Sequence, residues 1–88
     1  MKKLKLKKHS IYEIHWMDTF GYNGWYTEEE IDKKTAKPYE TSVGYLVKET
    51  KEFIILAMGK ETETDFAPYN CPKWIPKGVI RKVVKLKD

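Results

Sequence analysis

Apolar residues along this chain recur mostly at every second position, the pattern of strands with one buried face. Leu4-Lys5-Leu6-Lys7 alternates strictly, and Ile11-Tyr12-Glu13-Ile14-His15-Trp16-Met17 continues as a β-branched and aromatic run. In that run Tyr12, Ile14 and Trp16 share the face expected to form the core, while Glu13 and His15 point the other way. A hairpin is expected between Thr41 and Met58. Its first strand is Ser42-Val43-Gly44-Tyr45-Leu46-Val47, its turn the charged Lys48-Glu49-Thr50-Lys51-Glu52, and its second strand Phe53-Ile54-Ile55-Leu56-Ala57-Met58. That last segment is apolar on both faces, which marks a central strand. Gly44 inside a strand marks a bulge or a close approach of backbone.

Two irregular segments interrupt the strands. Thr19 to Pro38 opens with Gly21 and the turn-forming pair Asn23-Gly24. Within it, Thr27-Glu28-Glu29-Glu30 has the capping-box pattern, so one or two helical turns are expected over Glu28–Lys34. Gly59 to Pro72 reads as a second loop, polar and acidic before Phe66. After it, a short strand through Trp74-Ile75 should end at Pro76, which cannot sit centrally in a ladder. A turn around Lys77-Gly78 leads into a last basic strand, Val79 to Leu86. Five short strands with long loops after the first and third predict an all-β fold: a single five-stranded, strongly bent barrel over residues 1–88 with one short helical segment. Residues 1–8 are its basic N-terminal extension or strand start.

Composition narrows the class. Eighty-eight residues support one core, and three Trp, six Tyr and three Phe supply much of its apolar area. The single cysteine, Cys71, excludes an intramolecular disulfide and a multi-cysteine zinc site. A reduced compartment fits best. No apolar run reaches signal-peptide or membrane-spanning length, so a cytoplasmic protein without a membrane is expected.

Charge changes the picture more. Residues 1–8 and 73–88 together carry +10, whereas His9 to Pro72 carries −6. If the two ends pair as neighbouring strands, a basic patch forms over an acidic body, and such a patch suggests an anionic partner.

The segments Trp16-Met17-Asp18, Gly24-Trp25, Ser42 to Val47 and Ile75-Pro76-Lys77-Gly78-Val79-Ile80 together resemble a pattern in small uncharacterised proteins of phages and prophage regions. The resemblance spans most of the chain and implies origin more than activity. A glycine-containing strand, a short charged turn and an apolar strand are also similar to the first motif of Sm-like barrels. That likeness, shared at fold level with Src-homology-3-like barrels, implies five strands, self-association into rings and RNA binding. The N-terminal helix of Sm-like proteins and their nucleotide-stacking loop have no evident counterpart here, so RNA binding is an analogy of fold.

His9, His15, Asp18, Cys71 and Glu28-Glu29-Glu30 are the candidates for chemistry, but no spacing assembles a nucleophile, base and orienter. Nor do they have metal-ligand spacing, and no glycine loop cradles phosphate. A non-enzyme without a cofactor or metal is expected. The loop Asp18 to Tyr26 carries Phe20, Tyr22, Trp25 and Tyr26 around two glycines. Trp25 and Tyr26 are candidates to stack on a base, with Asp18 accepting a hydrogen bond from the ligand. The competing role for Trp25 is to fold back over one open end of the barrel. Lys77, Arg81 and Lys82 are candidates for phosphate contacts, joined by Lys85 and the N-terminal lysines. Their competing role is a solvated edge that discourages aggregation.

These features point to a non-catalytic module that captures an anionic nucleotide-type or nucleic-acid ligand. The alternative is an inhibitor that binds a host defence or metabolic protein through its aromatic loop. A homo-oligomer is also expected. A strand apolar on both faces needs cover from a loop or a second copy, and oppositely charged regions favour the copy.

Overall fold

The fold follows from which faces the strands can bury. In the computed structural model, which describes residues 5–34, 38–61 and 67–88, the alternating run forms β1 (Ile11–Met17). Tyr12 and Ile14 are buried on its inner face. An excursion then carries one short helix, α1 (Glu28–Asp32), and returns as β2 (Tyr39–Glu49). A tight turn leads to β3 (Phe53–Lys60), followed by β4 (Tyr69–Pro76). A single 3-10 turn, Lys77–Val79, connects to β5 (Ile80–Lys87). All five strands form one antiparallel sheet in the order β4-β3-β2-β1-β5.

The bend is built into β2. Its N-terminal part pairs with β1 from Tyr39 to Tyr45, and the ladder with β3 runs only from Tyr45 to Glu49. A register shift between Leu46 and Lys48 adds curvature. Gly44 stands at the changeover, where a Cβ would meet the Ala57 carbonyl oxygen at 2.5 Å. Only glycine permits that approach, as the strand glycine predicted. Bulges between β1 and β5 coil the other half. The curled sheet encloses Tyr12, Ile14, Leu46, Ile54, Leu56, Ile75 and Ile80, with Leu6, Trp16, Val79 and Val83 packed around them. Every strand contributes to this core. Burying each such Ile or Leu contributes about 1.5–3 kcal/mol.

The structure adjusts several expectations. Lys5–Ser10 lies outside the strands; Lys7 N–H donates to the Tyr12 hydroxyl at 2.7 Å and Leu6 packs on the core. The second loop is shorter than its composition implied, because β3 runs on to Lys60 and β4 begins at Tyr69. Prolines 72 and 76 are tolerated because β4 is an edge strand, whose missing N–H groups can face away from the ladder. The part of that loop at residues 62–66 lies outside the described residues.

β3 is central, and four consecutive residues, Ile54 to Ala57, are buried. Ile55 and Ala57 on its second face are already only 7% and 1% exposed within one chain. Their cross-strand neighbours are Lys48 and Trp74 for Ile55, and Tyr45 and Pro72 for Ala57. Within a single chain, then, both residues are already buried on that face.

Candidate functional site

The sequence-predicted residues fall in two regions. The first is the excursion between β1 and β2, whose base is tied by Asp18 N–H donating to the Pro38 carbonyl at 2.6 Å. Asp18 Oδ1 in turn accepts from the Thr19 N–H at 2.8 Å, so this carboxylate organises the chain leaving β1. Thr27 caps α1 with both halves of the capping box in place. The helix matches the expectation, though it stops at Asp32 and buries nothing. A five-residue helix without a core face rests on its cap and on the exposed Lys33–Glu29 pair at 3.5 Å.

Inside the excursion the tyrosines satisfy one another. Phe20 meets Tyr22 edge-on at 5.2 Å, and Tyr22 meets Tyr26 at 6.4 Å. Lys34 Nζ sits 4.5 Å from both tyrosine ring centroids, a cation on two π faces. Tyr26 hydroxyl donates to the Asn23 carbonyl at 2.7 Å, and Gly24 supplies the required positive φ of 110°. Trp25 is the exception: its relative exposure is 100%. It does not fold back over the open end of the curled sheet. Among the described residues no ring contact holds the indole, which stands in water beside the Phe20–Tyr22–Tyr26 cluster.

The second region is β5. His15 is opposite Lys82 and Trp16 opposite Ile80, so the register shift between them places Arg81 and Lys82 beside the end of β1. Asp18 follows that end, one residue past β1, and Lys82 is three positions back along the ladder, opposite His15. Arg81 Nη1 makes only long contacts, 3.4 and 3.5 Å, to the Gly78 and Ile80 carbonyls. Among the described residues neither Arg81 nor Lys82 forms an ion pair. Lys77 is diverted: its ammonium pairs with Glu49 at 2.6 Å, partly buried, and its N–H donates to the Glu52 carbonyl at 2.8 Å. It clamps the 3-10 turn to the β2–β3 turn. The two basic ends do meet, through Asp88, which pairs with Lys85 and lies 3.7 Å from Lys7. Those charges hold the exposed Asp88 carboxyl below its ordinary pKa, the hydrogen bond from Lys85 contributing most.

Both histidines have close polar partners. His15 Nε2 lies 2.7 Å from Glu13 Oε2, and its Nδ1 3.4 Å from Thr41 Oγ1, all on the outer sheet face. His9 Nε2 lies 2.7 Å from the Tyr69 hydroxyl. Partial removal from water, then the Lys60 and Lys8 charges, lower the His9 pKa from 6.5. Cys71 is exposed on β4 at a positive φ of 47°. Among the described residues no three His, Cys, Asp or Glu side chains gather to hold a metal, and no helix is long and apolar enough to cross a membrane.

One feature was missed in the sequence. Beyond the Tyr45–Ala57 pair, β2 stays with β1 and β3 stays with β4, so the two strands diverge. A cleft of about 420 Å³ opens there, lined by Ser42, Val43, Leu56, Met58, Cys71 and Lys73 among others. Trp16 Nε1–H donates to Ser42 Oγ at 3.0 Å, and Lys73 Nζ lies 4.7 Å from the Trp16 ring centroid. The signal was a lysine two positions before Ile75, on the inward parity of a strand. No family model, curated protein or solved structure matches the chain.

Proposed function

We propose that this chain is a non-catalytic binding module for an anionic nucleotide-type or nucleic-acid ligand. Trp25 carries the reading. Its neighbours Tyr22 and Tyr26 are engaged with Lys34, whereas its own ring stands wholly in water. An exposed indole on a polar loop offers a base a stacking surface. Tyr26, at the edge of the same cluster, extends that surface, and Asp18 accepts a hydrogen bond from the ligand. Arg81 and Lys82, free of carboxylates among the described residues, neutralise phosphate. Lys77 contributes less than its charge implies, because Glu49 already holds it.

The test is anisotropy of a labelled single-stranded oligonucleotide titrated at two salt concentrations. Binding should weaken with salt, and Trp25→Ala should cost about 1–3 kcal/mol per stacked base. No binding at low salt ends the reading.

A second reading is favoured by the apolar character of the excursion. Phe20 and Ile31 are more than half exposed on the same segment as Trp25. Such a surface suits a protein partner, and the resemblance to phage proteins makes that partner a host protein in the host cytoplasm. Its binding would be largely insensitive to salt. Self-association belongs to either reading: β4 and β5 are both sheet edges, each with one unpaired side among the described residues.

A further inference from the structure

We propose that the cleft between diverging β2 and β3 binds a small amphipathic carboxylate. Its apolar body would lie against Leu56, Val43 and Met58, with its carboxylate on Lys73 and Ser42. The inference is independent of the nucleotide reading and uses none of its residues.

Three observations converge. The first is shape and lining. About 420 Å³ lies within the range of small-ligand sites, and most of the wall is aliphatic or thioether. Met58 is 73% exposed there, an apolar side chain that a ligand would remove from water.

The second is a cation held in place. Lys73 Nζ rests over the Trp16 indole and, among the described residues, pairs with no carboxylate. Ring contact restrains the ammonium without neutralising it, so its charge remains available to an anion.

The third is the serine hydroxyl. Ser42 Oγ accepts the Trp16 indole N–H, which uses one of its lone pairs and leaves its own proton to donate. Trp16 thus touches both donors and holds them at one end of an apolar cleft. One full charge and one neutral donor match the two oxygens of a monoanionic carboxylate. A polyphosphate would bring more charge than one lysine balances.

The test uses the full chain labelled with ¹⁵N and titrated with 4-phenylbutyrate. The indole N–H resonance of Trp16 is identified by elimination with Trp25→Phe and Trp74→Phe. It should shift saturably in the millimolar range expected of a fragment-sized ligand. The uncharged 4-phenyl-1-butanol should bind about tenfold more weakly, as should the acid to Lys73→Met, because a hydrogen bond to a charged donor is lost. Lys51→Met, in the exposed β2–β3 turn, should leave the titration unchanged. Equal binding of acid and alcohol, or no shift of Trp16, overturns the proposal. Should Lys73→Met fail to fold, alkylation of Cys71 in the unaltered chain decides. Slowing by the acid but not by equimolar alcohol supports the site, and equal effects or none overturn it.

Discussion

Gly44 and Ala57 approach so closely that a methyl group on Gly44 would stand 2.5 Å from the Ala57 carbonyl oxygen. The listener on the other strand is backbone, which cannot swing aside as a flexible side chain would. This contact lies where β2 passes from pairing with β1 to pairing with β3, so it fixes the bend that encloses the core. Gly44→Ala should therefore destabilise the domain by about 1–3 kcal/mol, the range for overpacking. A urea midpoint unchanged from the parent would show that the strands can separate without cost.

Ser10 gives the opposite sign. It is 1% exposed, and among the described residues its hydroxyl has no hydrogen-bond partner. An unsatisfied buried polar atom costs about 1–3 kcal/mol. Ser10→Ala removes the oxygen at small cavity cost, so thermal unfolding should shift upward. A lower melting temperature would mean the hydroxyl is bonded.

Thr27 separates local from global stability. Its side chain accepts from the Glu30 N–H at 3.1 Å, while α1 buries no residue. Losing a cap costs a helix about 1 kcal/mol. In Thr27→Ala the carbon chemical shifts of residues 28–32 should move to coil values while the urea midpoint stays put. A coupled fall in the midpoint would show that the helix supports the core.

His9 sets a pH dependence. Its folded pKa lies below the ordinary 6.5, so the folded state prefers the neutral ring. The stability this contributes is fully present above the unfolded value and is lost as pH falls from there through the folded one. Proton NMR of the imidazole should give a midpoint below 6.5, raised by Lys60→Met, since Lys60 is the largest charge acting on it. A midpoint unmoved by that substitution would remove Lys60 as a cause.

Much of the fold was legible because it rests on local rules. Alternation over Ile11–Met17 named the buried Tyr12 and Ile14, Thr27 to Glu30 announced the helix cap, and Pro76 marked the end of β4. The two-sided apolarity of Phe53–Met58 identified the central strand. The candidate site was legible only in part: the aromatic excursion was visible, but the exposure of Trp25 was not, since composition cannot say which ring a loop turns outward.

The sequence by itself determined the strands, their inner faces and the opposed charges of ends and middle, because period, turn chemistry and charge are properties of neighbours along the chain. Tertiary structure alone decided which charges stay free. Lys77 is spent on Glu49 and Lys85 on Asp88, while Arg81, Lys82 and Lys73 form no ion pair among the described residues. It also decided that Trp16, Ser42 and Lys73, far apart in sequence, meet at one cleft. That meeting depends on where a bent sheet lets two strands diverge, and register and curvature are set by the packing of all five strands at once.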